Sequence, residues 1–447
     1  MRVENHTDAK WRIYQKKLKR ERRMSSVFKR LPYLAAIGCL GALAVVGLYA
    51  VFEYLNPPSP STSTDTAPRQ AETMQAPAER REGVIRPDLF PELLAGIDFC
   101  SPGATTSFPF KHEGYPFLLK TTIDPDLQSY ILRLFQKSKT IQAAAVVIRP
   151  GDGRVLSMAS YDSEGGGENI CVRSDYPAAS IFKVVAAAAA LENAGLALDD
   201  RMRYEGGRYT LYRRQLKEQV GRNAHEIDFR KAFALSINPV FGRVGIYELG
   251  KESLDAYADR FLFRNHIPFE IPLPPSSIEV PEHDFGLAEV ASGFNKTTCI
   301  SPLHAALISC AVVNNGVIMT PRLVDSVVDG QGEIVYRSEP APLATVVEPK
   351  TADGLRMLMR ETVLSGTGRN SFSKLLRSNI YRGIEVGAKT GSINDVTGCF
   401  RLDWVIAFAD PKEGREPICV SVLSVHGDYL GVRAGDLARL IIARYYS

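Results

Sequence analysis

One stretch near the N-terminus sets the strongest limit on how this chain can fold, because 22 consecutive residues carry no charge. The run extends from Leu31 to Phe52 and consists mostly of Leu, Ala, Val and Gly. At about 1.5 Å per residue, a helix of this length spans roughly 33 Å, which is enough to cross the hydrocarbon core of a bilayer. The sequence therefore predicts one transmembrane helix over residues 31–52.

Residues 1–30, which precede this run, form a strongly basic tail with eleven Lys or Arg against three Asp or Glu. The whole chain has a net charge of only +4, so the remainder is net negative and a nucleic-acid groove is not expected there. The positive-inside rule keeps the tail in the cytoplasm and exports the rest to the periplasm. The apolar run is longer than a signal-peptide core and no small-x-small site comes directly after it, so we expect an uncleaved, single-pass anchor in the inner membrane.

Composition divides the rest of the chain into three segments. Residues 53–83 are rich in Pro, Ser and Thr and poor in apolar residues, which predicts a flexible linker. Residues 84–118 form a preface that is too short to fold alone and is expected to pack on the main domain. Residues 119–447 are predicted to form that main domain.

Local patterns in this domain predict strands at both ends and helices between them. Asp124 and Pro125 are typical of a helix start, and the turn at 150–153 lies between two apolar runs, as in a β-hairpin. An Ala- and Val-rich helix is predicted from Ala178, and residues 225–315 are expected to be mostly helical. Near the C-terminus we expect three strands and a closing helix, at 387–392, 403–409, 418–425 and 437–446. This order favours an α/β (α+β) body whose sheet joins early and late strands around a helical insert.

The cysteines and histidines do not have the spacing of a metal site. No Cys-x-x-Cys pair and no His-Glu-x-x-His motif is present. Cys39 lies in the apolar run. The other cysteines are predicted to be buried thiols or to form one or two disulfides: Cys100, Cys171, Cys299, Cys310, Cys399 and Cys419.

The residues that suggest chemistry form three short motifs. In chain order they are Ser180-Ile181-Phe182-Lys183, Ser236-Ile237-Asn238 and Lys389-Thr390-Gly391-Ser392. Ser-x-x-Lys is a weak signal alone, since it also matches at Ser26 and Ser371. Ser26 lies on the predicted cytoplasmic side, and no helix with an apolar face comes after Ser371. Only Ser180 begins a long helix that is predicted to be buried, and we therefore predict Ser180 as a nucleophile.

The first two motifs contain the groups that a serine nucleophile needs. A serine hydroxyl reacts slowly without an adjacent base. Lys183 lies one helical turn from Ser180 on the same face, and in a dry site its pKa falls until the amine can accept the serine proton. Ser236 is a candidate to relay a proton between Lys183 and a leaving amine. Asn238 offers an amide to a substrate carbonyl.

The third motif supplies positive charge and an edge for substrate. Lys389 would attract a terminal carboxylate, and Gly391 would let substrate backbone lie against its strand because it lacks a side chain. The backbone N–H groups of Ser180 and Ser392 are candidates for an oxyanion hole.

The ordered motifs resemble those of the penicillin-binding protein transpeptidase family and its relatives, the serine β-lactamases. The resemblance covers about residues 120–447 and includes 122–128, 146–156 and 301–306. Residues 291–294 depart from the glycine-rich version that the family has there. The resemblance implies an antiparallel five-stranded sheet flanked by helices, with an all-helical subdomain.

The resemblance also implies a function. The chain would be a peptidoglycan D,D-transpeptidase that cross-links D-Ala-D-Ala stem peptides through a Ser180 acyl-enzyme and binds penicillin covalently. Lys183 would be the general base, and Lys389, Thr390 and Ser392 would hold the substrate carboxylate and the oxyanion. No metal or organic cofactor is implied. The implied partners are stem peptides, β-lactams and a cell-wall synthesis complex with a glycosyltransferase.

The sequence leaves other functions open. In a D,D-carboxypeptidase or a β-lactamase, water would attack the acyl-enzyme. The sequence identifies no base for that step, and Glu289 is a candidate only by its position in the sequence. A membrane-bound β-lactam sensor is disfavoured because residues 1–30 are too few for a signalling domain. A catalytically inactive scaffold is disfavoured because all the key side chains are present. The length leaves no room for a second, glycosyltransferase-type domain.

Overall fold

The computed structural model describes residues 85–95, 106–165, 167–411 and 413–447, all within the unit Arg81–Ser447. The predicted tail, transmembrane helix and linker, residues 1–83, lie outside the described residues. Within the described ranges, no helix combines the length and the apolar character needed to span a membrane.

The described residues form fifteen strands and eleven α-helices. The strands are β1 (Ser107–His112), β2 (Tyr115–Thr121), β3 (Gln142–Ile148), β4 (Val155–Asp162), β5 (Tyr176–Pro177), β6 (Arg201–Tyr204), β7 (His225–Asp228), β8 (Cys299–Ile300), β9 (Val317–Met319), β10 (Val324–Asp329), β11 (Ile334–Arg337), β12 (Pro342–Thr345), β13 (Ile384–Asn394), β14 (Arg401–Pro411) and β15 (Ile418–His426). The helices are α1 (Phe90–Ala95), α2 (Pro125–Lys137), α3 (Lys183–Glu192), α4 (Phe229–Ala234), α5 (Asn238–Arg243), α6 (Gly250–Arg260), α7 (Asp284–Ser292), α8 (Pro302–Val313), α9 (Pro349–Leu364), α10 (Arg369–Leu376) and α11 (Ala434–Tyr446).

The main sheet joins early and late strands, as predicted. Its five strands lie in the order β13-β14-β15-β3-β4, and every neighbouring pair is antiparallel. The central strand β15 is buried along its whole length, because helices cover both faces of the sheet. β13, which carries the third motif, is an edge strand of this sheet and pairs with β14 alone among the described strands. An edge strand offers unpaired backbone groups to a ligand.

Two features of the fold differ from the sequence prediction. The helical insert is not all-helical, because β6 pairs with β7 and β5 pairs with β8 within it. A second sheet, in the order β1-β2-β10-β11, was not predicted, since its β2 and β10 partners are about 200 residues apart in sequence. β2 crosses the expected boundary between residues 118 and 119, so the preface and the main domain share this sheet.

Several local predictions are confirmed. The Asp124 side chain accepts hydrogen bonds from the backbone N–H groups of Asp126 and Leu127, both at 3.0 Å, and so caps α2. The predicted turn at 150–153 joins β3 to β4 in an antiparallel hairpin. The side chains of Cys171, Cys310 and Cys419 are buried, which is one of the two alternatives predicted for the cysteines, whereas Cys399 is exposed.

The helix predicted from Ala178 begins differently from expectation. Residues Ala179–Phe182 form a 3₁₀ turn, and the α-helix α3 starts only at Lys183. Its residues from Lys183 to Ala190 are all buried. The Ala-rich sequence suits this position, because small side chains let α3 lie in the middle of the domain with neighbours on every side.

Candidate active site

Ser180 lies in the tight turn ahead of α3, at the edge of the buried region. The preceding residue, Ala179, has φ +51°, a left-handed conformation that is uncommon for a residue with a Cβ. Such backbone strain persists only where the surrounding structure enforces it, and it is frequent at functional sites. Ser180 itself is partly exposed, whereas Ala179 and Ile181 are buried. The turn therefore exposes the Ser180 hydroxyl while the residues on either side of it are buried.

Lys183 connects the first motif to the second. Its Nζ lies 2.8 Å from Ser180 Oγ and 2.8 Å from Asn238 Oδ1, and it also donates to the backbone carbonyl of Ser292. The whole side chain is inaccessible to solvent, and the centre of the Phe241 ring lies 5.5 Å from Nζ. The predicted contact between Ser180 and Lys183 is therefore present.

Burial holds the pKa of Lys183 well below its usual range, and the positive charge of Lys389 lowers it further. A neutral amine has two N–H donors and one lone pair. Asn238 Oδ1 and the Ser292 carbonyl can only accept hydrogen bonds, so they take both N–H groups. The lone pair is then left for the one partner that has a proton to give, the hydroxyl of Ser180. This arrangement is that of a general base poised on a nucleophile.

Lys389 and Ser236 bring the second and third motifs together. Lys389 Nζ donates to Ser236 Oγ at 2.9 Å and to the Thr390 carbonyl at 2.8 Å, although Ser236 is 153 residues away in sequence. Because the Ser236 oxygen accepts this hydrogen bond, its own proton stays free for another acceptor. Ser236 has φ +55°, so this site contains a second strained non-glycine residue. The position of Ser236 fits the predicted proton relay.

Lys389 is also fully buried, and desolvation lowers its pKa to about 7. Its Nζ lies 5.5 Å from the centre of the Phe233 ring, an aromatic face that stabilises the charged form. Lys389 therefore changes charge close to neutral pH, and burial lowers the pKa of Lys183 in the same direction.

Asn238 has a hydrogen-bond partner within the protein at each end of its amide. Its Oδ1 accepts from Lys183, and its Nδ2 donates to the Tyr209 carbonyl at 3.1 Å. Both ends of the amide thus hold protein groups, and Asn238 positions the lysine. A contact between the second Nδ2 hydrogen and a substrate carbonyl stays a prediction.

Gly391 is required by packing within the protein, and its predicted contact with substrate backbone stays a prediction. A Cβ at this position would lie 3.1 Å from the backbone nitrogen of Ser180 and 3.2 Å from that of Ile181. The missing side chain therefore makes room for the turn that carries the nucleophile, which brings β13 against Ser180. On the same strand, Thr390 Oγ1 lies 2.5 Å from Thr367 Oγ1, and Ser392 Oγ donates to Asp403.

Two parts of the site were missed by sequence reasoning. The first is the end of α7, where Ser292 offers its carbonyl to Lys183 and Gly293 packs behind Ala179. The second is Thr367, whose backbone N–H donates to the Ala234 carbonyl at 3.0 Å and whose hydroxyl contacts Thr390. The only signals for these residues were a glycine at the end of a helical pattern and the Gly-Thr-Gly sequence after α9.

Glu289, the candidate hydrolytic base, lies on α7 one turn before Ser292. Partial burial raises the pKa of its carboxyl, against the opposing effect of the charges on His283 and Arg213. Among the described residues, no hydrogen bond joins this carboxyl to Ser180 or Lys183. Its hydrolytic role stays an untested prediction.

The fold and the site together define a class. An antiparallel sheet flanked by helices carries a serine beside a buried lysine, a second serine beside another buried lysine, and an edge strand along the nucleophile. This is the arrangement of an active-site serine protein in which a lysine is the base.

Comparison with known proteins identifies the family. The family model described as "Penicillin binding protein transpeptidase domain" matches residues 143–439. The chain therefore belongs to the penicillin-binding protein transpeptidase domain family, as its motifs predicted.

Named relatives share this domain at low identity. "Stage V sporulation protein D" of Bacillus subtilis is 26% identical over 296 residues, which cover 62% of this chain and 44% of that protein. "Peptidoglycan D,D-transpeptidase PbpA" of Mycolicibacterium smegmatis is 24% identical over 360 residues, which cover 71% of this chain and 69% of that protein. The chain thus spans less than half the length of the sporulation protein.

Solved structures share the fold. Penicillin-binding protein A from M. tuberculosis, as an imipenem acyl-enzyme complex, has a TM-score of 0.62 at 22% identity and aligns over 74% of this chain and 79% of its own. The D,D-transpeptidase domain of a peptidoglycan glycosyltransferase from Eggerthella lenta has a TM-score of 0.59 at 23% identity, over 73% of this chain and 82% of its own.

We expect Gly293→Ala to displace the nucleophile. Gly293 has φ +63°, and a Cβ there would lie 2.0 Å from the Ala179 carbonyl oxygen, so the turn before Ser180 must move. Covalent labelling by fluorescent penicillin should fall at least about 100-fold, since small misplacements at a reacting centre have effects of that size. The midpoint of thermal unfolding should also fall.

Gly250→Ala is the matched control. Gly250 has a similar φ of +66°, but nothing lies within 4 Å of an added Cβ. It should lose about 1–3 kcal/mol of stability, because its φ of +66° with a ψ of −174° is a conformation that residues with a Cβ rarely adopt, and it should keep wild-type labelling. Equal labelling of the two variants would show that the contact between Gly293 and Ala179 does not position Ser180.

Proposed function

We propose that this protein is a peptidoglycan D,D-transpeptidase that forms an acyl-enzyme on Ser180 and that reacts covalently with penicillins. The observation that carries the proposal is the environment of Lys183. Its fully buried amine lies 2.8 Å from Ser180 Oγ, and its other two partners can only accept hydrogen bonds. A lysine held in this way serves as a base and not as an ion-pair partner.

In the acylation step, Ser180 Oγ attacks the carbonyl carbon between the two terminal D-Ala residues. Its proton passes to the neutral Lys183 amine while the new Oγ–C bond forms. The C–N bond then breaks, and the proton that Lys183 took from Ser180 passes by way of the Ser236 hydroxyl to the leaving D-Ala amine, which returns Lys183 to its neutral form. Lys389 orients the Ser236 hydroxyl. The charged form of Lys389 attracts the terminal carboxylate of the donor peptide.

In the transfer step, the amine of a second stem peptide attacks the acyl-enzyme. The amine loses a proton to Lys183 as the new amide forms, and Ser180 Oγ leaves and regains its proton. The open edge of β13 supports binding of an extended peptide, because an edge strand can add one more strand by main-chain hydrogen bonds.

The test separates transfer from hydrolysis. The protein is incubated with a D-Ala-D-Ala stem peptide, with and without a second peptide that carries a free side-chain amine. A transpeptidase should release D-Ala and convert the acceptor into a cross-linked dimer that mass spectrometry detects. Release of D-Ala at the same rate without acceptor and without any dimer would instead identify a carboxypeptidase.

We expect acylation by penicillin to depend on pH through both lysines. The neutral form of Lys183 is the base, so the rate should rise with pH through its depressed pKa. The charged form of Lys389 attracts the carboxylate, so the rate should fall as pH rises through its pKa of about 7. The second-order rate constant for benzylpenicillin, measured across the acidic to mildly alkaline range, should therefore pass through a maximum.

The methyl ester of benzylpenicillin is the control for this profile. It has no carboxylate for Lys389, so the falling limb near the pKa of about 7 should be absent while the rising limb remains. A falling limb of equal size for both compounds would assign it to another group.

We also propose that the protein acts on the periplasmic face of the inner membrane as a single-pass anchored protein. The uncharged run at 31–52 and the basic tail before it support this placement. A cell-wall synthesis complex with a glycosyltransferase is the proposed partner, since a transpeptidase needs newly made glycan strands. Membrane fractionation of the full chain, with protease added from the periplasmic side, tests the topology: residues after 84 should be digested.

A further inference from the structure

The last residue of the third motif already has a carboxylate partner within the protein. Ser392 on β13 lies directly opposite Asp403 on β14, and Ser392 Oγ donates to Asp403 Oδ1 at 2.9 Å. Ser392 is exposed at the edge of the sheet, whereas Asp403 is half-buried. The Ser392 hydroxyl is therefore accessible to a ligand, but its proton is already donated to Asp403.

Asp403 is held in place from a second direction. Its Oδ2 accepts from the backbone N–H of Ala434, the first residue of α11, at 3.0 Å. Arg433, the N-cap residue, makes no side-chain capping hydrogen bond, so the neighbouring strand supplies the cap. The positive end of the helix dipole adds to this attraction. The hydrogen bond to Ala434 thus restricts rotation of the Asp403 side chain and keeps its carboxylate beside Ser392.

The hydroxyl cannot serve two acceptors at once. A serine has one O–H proton to donate. While that proton points at Asp403, Ser392 presents only lone pairs to any other carboxylate. A ligand carboxylate next to Ser392 would also lie close to the Asp403 carboxylate, and like charges at such a distance repel.

We propose that Asp403 is a specificity-determining residue that competes with the ligand carboxylate for the hydroxyl of Ser392. Asp403 then weakens the binding of ligands that have a free terminal carboxylate. It has little effect on the binding of neutral ligands. This inference rests on the proposed function, because it takes Ser392 as part of the site for the substrate carboxylate.

The experiment compares two penicillins that differ only in charge. Second-order rate constants for acylation are measured with benzylpenicillin and with its methyl ester, for the wild type and for Asp403→Asn. The asparagine keeps the shape of the side chain but removes the charge. We expect benzylpenicillin to react about 5- to 10-fold faster with the variant, because a neutral amide holds the Ser392 proton less strongly than a carboxylate and does not repel the ligand carboxylate. The ester should change less than about 2-fold.

Two further variants show whether the effect passes through Ser392. In a Ser392→Ala background, Asp403→Asn should accelerate benzylpenicillin by less than it does when Ser392 is present, because only the like-charge repulsion is relieved and the contested hydroxyl is absent. An equal gain in both backgrounds would show that Asp403 does not act through Ser392. Asp436→Asn removes the same charge from the first turn of α11, and Asp436 makes no hydrogen bond to Ser392 in the described part of the chain. Its ratio of the two rate constants should stay within about 2-fold of the wild type.

Each other outcome overturns the proposal. Equal changes with both penicillins would show a structural role for Asp403, and thermal unfolding of the variant would register it. Slower reaction with benzylpenicillin alone would show that Asp403 assists the carboxylate. An equal rise of the benzylpenicillin rate constant in Asp436→Asn would show that the loss of any nearby negative charge produces the effect. Failure of the wild type to react with either penicillin would instead refute the proposed function.

Discussion

Ser180→Ala should abolish covalent labelling by fluorescent penicillin, with no band above background after denaturing electrophoresis. The oxygen that forms the ester is removed, and no other hydroxyl in the described part of the chain lies within hydrogen-bond distance of Lys183 Nζ. The loss should exceed about 10³-fold, the scale expected when a nucleophile is deleted. Thermal unfolding should show that the variant is folded, since Ser180 is partly exposed.

The control for this result is the other Ser-x-x-Lys sequence of the main domain. Ser371 lies on α10, and its side chain packs near Gly435 of α11, away from the three motifs. Ser371→Ala should label like the wild type. Persistent labelling of Ser180→Ala, or loss of labelling in Ser371→Ala, would place the nucleophile elsewhere.

Lys183→Met should slow acylation about 10³-fold, because the base that accepts the Ser180 proton is lost while the volume of the side chain is nearly kept. The hydroxyl, the turn and the strand β13 remain in place, so residual slow labelling is expected. Stopped-flow or time-resolved labelling with penicillin measures the rate constant. The rising limb of the pH profile should vanish in this variant, which a purely structural defect would not produce.

Lys231→Met is the matched control for the lysine. Lys231 lies on α4, donates to Glu361 at 3.2 Å and to Ser365, and is half-exposed. Removing it takes a positive charge from the same part of the domain without touching Ser180. Its rate constant should stay within a few-fold of the wild type, since exposed charge pairs contribute little. A comparable loss of about 10³-fold would mean that general charge, and not the base, controls acylation.

Much of the fold was predictable because its signals are local. Asp124 and Pro125 mark the start of α2, and the turn between β3 and β4 is specified by the short segment 150–153. The second sheet was not predictable, because β2 and β10 meet across a long stretch of chain and neither has a strong pattern of its own. The two-stranded sheets in the helical insert are short, and sequence periodicity does not detect strands of two to four residues.

In the site, too, contacts between residues close in sequence were predictable and contacts between distant elements were not. Ser180 and Lys183 are three residues apart, so one helical turn brings them to the same face. The contacts of Asn238 and Gly391 within the protein were not predictable, since each depends on a partner from another element: Lys183 for the amide, and the Ser180 turn for the glycine. Gly293 and Asp403 were not predicted as site residues, because nothing in their local sequence indicates what they touch.

The sequence by itself determined which groups the site contains, their order along the chain and the spacing of the serine and its lysine. Only the tertiary structure decided how those groups behave. Burial between α5, α7 and β13 lowers the pKa of Lys183 and Lys389, and packing brings Lys389 to Ser236 across 153 residues. The physical reason is that a hydrogen-bonded turn is fixed by neighbours in sequence, whereas desolvation and long-range contacts depend on every element that closes around the group.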